Sequence, residues 1–417
     1  MAHHADHADV TREPGPLDSA VGPRPGAERI VVIDAVRGVA LLGIVVVNAL
    51  LFFWPVHAVA LGLPEPTTAL DAAAAWFVAF AFEGKYFTLF SLLFGIGITM
   101  QLGRGHPPRR IRRRLLVLAA IGALHVSLLW WGDILLHYAI LGGVLLLTRE
   151  WAPRRLVRTA VIVLAIPIVL QLAFAGLAGI AALSPEGSAA IDAAMAESTA
   201  AFLAEHDEAL ATYRSRDVGA QVAQRWSDWA FATFGTLLNG MLLIVVAMFL
   251  LGAAAQKSGW TGPDAVDRWR WAFWRALPVA LVANAVFASV RGPEAFAGGW
   301  QGVVIALAFV IGAPSGALAI ASGVALALHG GGPVTVALAA VGRLALSTYL
   351  TQSLVFTTLA YGYGLIWYGA VSHAQALGLA VLVFALQVPL ALAYTRRFAF
   401  GPIEWAWRAL TYGRRPT

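Results

Sequence analysis

Long apolar runs separated by short polar segments make up most of the chain after residue 28. The runs are continuous and rich in Leu, Ala and Val, so they predict helices, whereas strands would alternate apolar and polar positions. Each run is long enough to cross a hydrocarbon layer of about 30 Å, which takes roughly 20 helical residues. We place ten spans, at residues 30–54, 73–103, 110–129, 132–149, 155–183, 229–257, 271–290, 299–328, 334–362 and 370–396. The predicted fold is all-α, a polytopic integral membrane protein with about ten transmembrane helices.

Three segments follow from this pattern. Residues 1–28 are polar and rich in Pro, Gly, Ala and His, which predicts a disordered cytoplasmic tail. Residues 29–397 form the transmembrane domain, and its longest loop, 184–228, predicts a helical extracytoplasmic insert. Residues 398–417 predict an interfacial C-terminal helix and tail, with Glu404 and Arg408 spaced for an i,i+4 ion pair on a Trp-rich turn.

Composition excludes several classes of protein. Charged residues make up 12% of the 417, about half of the roughly 25% found in soluble proteins, so lipid must surround most of the chain. There is no cysteine, which excludes disulfides, thiolate nucleophiles and Cys-ligated metal centres. The net charge of +6 comes almost wholly from arginine, since Lys85 and Lys257 are the only lysines. No basic domain exists outside the loops, so we expect no nucleic-acid partner.

The arginines also predict an orientation. Residues 104–114 hold six arginines and no acid, and further arginine groups follow the fourth, sixth and tenth spans. With ten spans, all four groups lie on the same side as the N-terminus, which the positive-inside rule makes cytoplasmic. The loop 184–228, with eight acids against three arginines, lies on the other side. We therefore expect a multi-pass plasma-membrane protein with both termini cytoplasmic and membrane lipids as partners; a homodimer stays an open alternative.

Ionisable residues inside spans cost roughly 2.5–3.5 kcal/mol each, so each needs a reason. Asp34 and Arg37 lie three apart on one helical face and can pair locally, either as an interfacial anchor or within a site. Glu83 and Lys85 lie near the middle of the second span. A salt bridge to another helix, an interfacial position and a functional role are all open for this second pair.

The hairpin between the third and fourth spans carries His125, Asp133 and His137. Asp133 and His137 are four residues apart, which places them on one helix face, and the hairpin can bring His125 to them. A carboxylate that orients an imidazole is the physical basis of a general base. A buried pair that pins two helices is the structural alternative. No HxH or HExxH spacing is present, so no metal site is predicted.

The ninth predicted span is unusually polar, with Arg343, Tyr349, Gln352 and Ser353. Arg343 could bind a phosphate or pair with Asp34, and the set as a whole could line a polar cavity or pack helices. The chain has no Walker A loop, no GxGxxG after a strand and no GxSxG elbow. These absences argue against ATP hydrolysis and against a soluble-type hydrolase.

Several motifs in order resemble the bacterial family called domain of unknown function 418, the YeiB-like membrane proteins. The resemblance covers roughly residues 29–415 and is carried by Asp34-x-x-Arg37-Gly38, Gly84-Lys85-Tyr86-Phe87, Gly122-x-x-His125, Trp131-Gly132-Asp133, Gly342-Arg343, Tyr349-x-x-Gln352-Ser353 and Gly401-Pro402-Ile403-Glu404. Through the first of these motifs the family is similar to the transmembrane acyltransferase superfamily. That superfamily includes the type 3 acyltransferases and heparan-alpha-glucosaminide N-acetyltransferase, which move acyl groups from cytoplasmic coenzyme A onto extracytoplasmic acceptors.

The resemblance implies which histidine reacts. The type 3 enzymes carry a histidine fourteen residues after the motif aspartate, where this chain has Asn48, as the glucosaminide enzymes do. In the latter, the reactive histidine follows shortly after, and His57 lies at a comparable offset. His125 lies within a motif of the nearer family and is the preferred base, with His57 and His137 as open alternatives.

The leading hypothesis is acyl transfer from cytoplasmic acyl-coenzyme A, as co-substrate, to a hydroxyl or amine of a small or lipid-linked acceptor, with no tightly bound cofactor. His125, oriented by Asp133, acts as the base, and Lys85 or Asn48 stabilises the oxyanion. Arg343 and the run 109–114 attract the phosphates. Further substrate-binding residues are Gln352, Tyr349, Glu83, Asp34 and Arg37.

Two alternatives stay open. A proton-coupled transporter or permease of a small polar or lipid-like solute would use Glu83, Lys85, His125 and Asp133 as one site. A non-catalytic scaffold would act through the insert 184–228.

Overall fold

The computed structural model describes residues 31–262, 265–291 and 300–413; the predicted N-terminal tail, 1–28, lies outside them. Every regular element in these ranges is a helix. In chain order they are α1 (Val31–Leu51), α2 (Val56–Ala60), α3 (Ala69–Ala81), α4 (Lys85–Gly103), α5 (Pro108–Leu128), α6 (Leu135–Leu141), α7 (Gly143–Leu147), α8 (Pro153–Ala181), α9 (Pro185–Arg214), α10 (Val218–Leu238), α11 (Met241–Lys257), α12 (Val266–Val290), α13 (Trp300–Leu328), α14 (Pro333–Arg343), α15 (Ala345–Ala360), α16 (His373–Thr395) and α17 (Pro402–Tyr412). The all-α prediction is confirmed.

Six helical segments in the described ranges are long and apolar enough to span a membrane, or eight if each of two bent helix pairs counts as one span. The count of ten is therefore not confirmed. The two predicted spans outside this set are 110–129 and 132–149, which correspond to α5 and to α6 with α7. Five arginines in the first seven residues of α5 leave too short an apolar stretch, and the segment Leu135–Leu147 is itself short.

Three spans predicted as continuous helices are broken. α10 and α11 meet at an angle of 69°, and α14 and α15 at 76°. α3 and α4 are separated by residues 82–84. Gly84 and Gly240 both have a φ of +81°, a conformation that only glycine adopts without strain, and each lies at one of these breaks. The breaks before Lys85 and at Leu344 place helix ends, with their free N–H and C=O groups, among buried residues.

Glycines let the helices approach closely. A Cβ at Gly38 would overlap the carbonyl of Leu338, and one at Gly342 would overlap the carbonyl of Asp34, so α1 and α14 meet backbone to backbone. Gly252 packs in the same way on Leu92, joining α11 to α4. Small residues at helix contacts are typical of membrane proteins, where packing and not hydrophobicity drives helix association.

The two peripheral segments both contact α15 or the loop that follows it. From the end of α9, the carbonyl of Tyr213 accepts a hydrogen bond from the N–H of Gly362, just after α15. From α17, the carboxylate of Glu404 accepts the N–H groups of Leu346 and Ser347 at the start of α15, at 2.7 and 3.0 Å. The predicted ion pair between Glu404 and Arg408 stays a prediction, and the carboxylate has a further role in the structure, because a helix N-terminus with free N–H groups attracts it.

Candidate functional site

Three buried polar side chains from distant parts of the chain form one line of hydrogen bonds. Nδ1 of His125 lies 2.8 Å from Oδ2 of Asp133, and Nε2 of the same ring lies 2.8 Å from Oγ of Ser353. The side chains of His125 and Asp133 have no exposed surface, and Ser353 is fully buried. We call these three residues the triad. The structure thus brings the predicted base and its predicted carboxylate together and adds a serine.

The hydrogen-bonding capacity of each group sets the direction of this line. An ionised carboxylate only accepts, so Asp133 holds the proton on Nδ1 of His125. Nε2 is then an acceptor, and the Ser353 hydroxyl donates to it. A hydroxyl, an imidazole and a carboxylate in this order form the arrangement that activates a nucleophile in acyl-transfer enzymes.

Local sequence explains how the hairpin holds His125 against Asp133. The carbonyl of His125 accepts the N–H groups of Leu129 and Trp130, which ends α5. Asp133 then accepts the N–H of Leu136 at 2.7 Å through Oδ1, in the first turn of α6. Gly122 allows this close approach, because a Cβ there would lie 2.5 Å from the Leu136 nitrogen. Asp133 thus precedes α6, whereas the predicted span 132–149 placed it within a helix.

Tyr349, predicted to bind substrate, lies beside the triad. Its ring centroid is 5.2 Å from that of His125, and its hydroxyl donates to the carbonyl of Gly132 at 3.3 Å. Gln352 is adjacent to Ser353 in sequence but turns elsewhere, donating to Oε1 of Gln387 at 2.9 Å. The structure therefore brings one of these two predicted residues to the triad and gives the other a partner on α16.

An apolar aromatic group borders the triad on the side of the C-terminal half of α15. Phe356 follows Ser353 by three residues and stacks on Phe52 at 5.0 Å, and Phe52 contacts Trp130 at 4.0 Å. All three are at most 1% exposed. The indole Nε1 atoms of Trp130 and Trp131 are buried and lack a hydrogen-bond partner among the described atoms. The surroundings exclude water and hold two unused donors in the loop that carries Asp133.

Lys85 and Glu83 have partners away from the triad. The Lys85 ammonium donates to the carbonyls of Glu83 at 2.8 Å and Ala79 at 3.2 Å, at the end of α3, where the helix dipole favours a cation. The Glu83 carboxylate forms an ion pair with Arg291. No described hydrogen bond or ion pair joins either residue to the triad. The proposed oxyanion role of Lys85 stays a prediction.

The remaining candidate residues, Asn48, His137 and His57, differ in how they are linked to the triad. Asn48 is half-buried on α1, and its carbonyl accepts the N–H of Phe52. His137 bonds the carbonyl of Asp133 through Nδ1 at 3.0 Å and Thr233 through Nε2 at 2.9 Å. His57 lies against Phe231 of α10, at 4.3 Å between ring centroids. His137 therefore touches the backbone of the triad, and His57 belongs to the contact with α9 and α10.

The arginine-rich end of the molecule gathers several cations. Asp34 and Arg37 form the predicted ion pair at 2.8 Å. The guanidinium of Arg114 lies 3.7 Å over the ring of Trp407, and Arg37 and Arg408 are its cationic neighbours.

Arg343 closes α14 nearby, immediately after Gly342, which packs on the backbone of Asp34. One Nη atom of Arg343 lies 3.4 Å from the carbonyl of Ala399. A cleft of about 410 Å³ opens among residues that include His106, Arg149 and Lys257. Basic side chains therefore line this end of the molecule at several places.

A buried polar cluster beneath α9 was missed by sequence reasoning, which treated 184–228 as an exposed insert. Tyr213 donates to Asp228 at 2.7 Å and packs on Tyr361 and Tyr368, with ring centroids 4.6 and 4.8 Å away. Burial raises the pKa of Tyr213 well above 10.0, so its hydroxyl stays a donor. Arg225 donates to the carbonyl of Ser127, two residues after His125. The i,i+3 spacing of two charged residues, Arg225 and Asp228, was the feature of the sequence that could have indicated this buried cluster.

No cluster of three or more His, Asp or Glu residues that could hold a metal ion occurs in ranges 31–262, 265–291 and 300–413.

Comparison with known proteins gives one family and two full-length relatives. A family model described as "Protein of unknown function (DUF418)" matches residues 255–414. The chain is 31% identical over 423 residues to the uncharacterized protein YxaH of Bacillus subtilis (strain 168), covering 94% of this chain and 97% of that protein. It is 31% identical over 402 residues to the uncharacterized protein YeiB of Escherichia coli (strain K12), covering 92% and 96%. No solved structure matches the chain.

Proposed function

The chain belongs to the DUF418 family, and from that premise we propose that it is a membrane acyltransferase that moves an acyl group from acyl-coenzyme A to a hydroxyl or amine acceptor. The observation that carries this proposal is the triad, with its two hydrogen bonds of 2.8 Å. The motif-level similarity to the transmembrane acyltransferases supports it.

The triad fits the chemistry of acyl transfer. Attack on a thioester carbonyl requires removal of a proton from the incoming hydroxyl or amine, and Nε2 of His125 is oriented to accept one. Asp133 stabilises the imidazolium that forms, which is the usual contribution of a buried carboxylate behind a histidine. General-base catalysis of this kind contributes about 10²–10⁴-fold to a rate.

The charge distribution fits a coenzyme A substrate. Its phosphates are anionic, and the arginine-rich end presents Arg37, Arg114 and Arg343 together with the cleft of about 410 Å³. If α5 and the pair α6–α7 either both cross the membrane or both do not, counts of eight and ten leave the same helix ends on the same side. This parity supports our proposal that the arginine-rich end and both termini are cytoplasmic in the plasma membrane.

The transporter alternative requires Glu83, Lys85, His125 and Asp133 to act as one proton-coupled site. Glu83 is engaged with Arg291, and Lys85 with the carbonyls that end α3. His125 and Asp133 are engaged with each other and with Ser353. These separate contacts favour acyl transfer over a shared ion pathway.

Binding of acyl-coenzyme A tests the proposal most directly. Detergent-purified protein is titrated by calorimetry with acetyl-coenzyme A and with longer acyl-coenzyme A species, alongside Arg343→Ala. The matched control is Arg270→Ala, an arginine whose side chain is 60% exposed and pairs with Asp267 on the surface of α12. We expect saturable binding that Arg343→Ala weakens and Arg270→Ala does not. Absence of binding at every chain length would refute the proposal.

Release of free coenzyme A tests the base. The chain contains no cysteine, so a thiol reagent does not react with the protein itself, and the signal of the acceptor extract without the protein is subtracted to give the coenzyme A that the protein releases. With a cell-envelope extract as the source of acceptor, His125→Gln should slow release by about 10²-fold or more. His137→Gln, from the same hairpin, is the control and should retain most of the rate. Equal rates for the two variants would remove His125 from the mechanism.

A further inference from the structure

Ser353 extends the proposed function from a general-base site to a covalent one. Its hydroxyl is 2.8 Å from Nε2 of His125, the atom that must accept the proton in acyl transfer, so this hydroxyl is the group the base activates in the structure. We infer that Ser353 is the nucleophile and carries the acyl group as an ester between two half-reactions. This inference rests on the proposed function and gives it a double-displacement mechanism.

Each half-reaction balances with the groups present. In the first, Oγ of Ser353 bonds to the thioester carbonyl carbon while its proton passes to Nε2 of His125. The tetrahedral intermediate collapses with cleavage of the C–S bond, and coenzyme A leaves as its thiol with the proton from His125. In the second, an acceptor hydroxyl or amine gives its proton to His125 and bonds to the same carbonyl carbon. The ester C–O bond then breaks, and the proton returns to Ser353.

The position of Ser353 gives a physical reason for a covalent step. Ser353 is the ninth of the 16 residues of α15. At about 1.5 Å per residue it lies roughly 12 Å from the first residue of the helix and 10 Å from the last. A nucleophile midway along α15 holds the acyl group after the first substrate has left. The two substrates then need not occupy the site together.

The surroundings of Ser353 suit an ester intermediate. Phe356, Phe52 and Trp130 form a buried aromatic group one turn along α15, so water has little access to hydrolyse the ester. The indole N–H groups of Trp130 and Trp131 are buried without an acceptor among the described atoms. Buried donors without partners are rare in native proteins and call for an explanation. Both donors lie in the loop that carries Asp133, the carboxylate of the triad.

Acyl labelling and isotope exchange test the inference without knowledge of the acceptor. Purified protein is incubated with acetyl-coenzyme A alone, and intact mass and peptide mapping are recorded. In parallel, labelled coenzyme A is mixed with unlabelled acetyl-coenzyme A, and transfer of label into the thioester is followed. We expect one acetyl group per chain, located on Ser353, and exchange that needs no acceptor. Ser353→Ala should abolish both, whereas Ser353→Cys should keep a nucleophile and form a thioester.

Ser91→Ala is the matched control, because Ser91 is also a fully buried serine whose hydroxyl bonds a single side chain, Tyr138, at 2.7 Å. It should label and exchange as the wild type does. Acyl-coenzyme A binding without acetylation or exchange would overturn the inference and leave the proposed function in place. An acetyl group that persists in Ser353→Ala would also overturn it. Failure to bind acyl-coenzyme A at all would overturn both.

Discussion

Glu404 is expected to hold the helix that carries Ser353, and its substitution tests that directly. Its Oε1 atom accepts the N–H groups of Leu346 and Ser347, and Oε2 accepts the hydroxyl of Ser347. α15 has no side-chain cap of its own, so Glu404 supplies one from α17. Glu404→Gln keeps one oxygen for the two N–H groups and loses the charge.

The expected loss of stability depends on the charge and the hydrogen-bond acceptors that each substitution leaves at position 404. A charge at a helix N-terminus contributes about 0.3–1 kcal/mol, and up to about 2 when partly buried. Glu404→Gln should therefore lower the free energy of unfolding by about 1–2 kcal/mol. Glu404→Ala leaves both N–H groups without an acceptor and should cost more, about 2–4 kcal/mol.

Denaturant unfolding in micelles, with the midpoint and slope both measured, provides the assay. Glu150→Gln is the control, because the Glu150 side chain is 82% exposed and pairs only with Arg149, itself at the surface. That control should stay within about 0.5 kcal/mol of the wild type. If Glu404→Gln and Glu150→Gln unfold alike, the assignment of Glu404 as the cap of α15 is wrong.

Three further predictions concern packing, capping and pH. Gly342→Ala should cost about 3 kcal/mol or prevent folding, because its Cβ would overlap the carbonyl of Asp34, while Gly378→Ala, where the Cβ meets open space, should be neutral or slightly stabilising in the same unfolding assay. Lys85→Met leaves the carbonyls of Ala79 and Glu83 without the ammonium that they bind and should lower stability by about 2 kcal/mol in the same assay. Burial lowers the pKa of both His57 and His206 below 6.5, and the nearby His206 lowers the pKa of His57 further. At low pH the two histidines therefore bind more protons when α9 is undocked than when it is docked. Docking of α9 should be intact above about pH 6.5 and weaken below it, seen as smaller protection factors in α9 once the pH dependence of intrinsic amide exchange is corrected, and His206→Gln should make these factors less pH-dependent. Protection factors that do not change between about pH 5 and 7.5 would contradict this.

The sequence predicted what depends on local composition. Apolar runs predicted helices, arginine clusters marked one end, and the three-residue spacing of Asp34 and Arg37 predicted their ion pair, because each depends on residues close together in the chain. The bends did not follow from hydropathy. Residues 334–362 are long and apolar enough on average to predict one span, yet they turn by 76° near Leu344, where Gly342 packs on α1 and Glu404 caps the next helix. Both causes lie far away in sequence.

In the candidate site, too, the sequence predicted only the contact between residues that are close together in the chain. His125 and Asp133 are eight residues apart, so a hairpin could bring them together, and the structure does so at 2.8 Å. Ser353 is 228 residues from His125 along the chain, and no periodicity links the two. Lys85 was assigned to the site because a buried lysine needs a reason, but the broken helix before it supplies that reason in the two carbonyls that it binds.

The triad also bears on the alternative that His125 and Asp133 merely pin two helices. The elements that carry the triad are also held by contacts that do not use its side chains: Gly122 packs on the backbone of Leu136, which joins α5 to α6, and Glu404 caps α15. Replacing a buried polar network by apolar residues of similar shape is often neutral or stabilising. Holding two helices together is therefore a poor explanation for the burial of a hydroxyl, an imidazole and a carboxylate, because other contacts already join these helices. A reaction that needs all three in this order accounts for their burial.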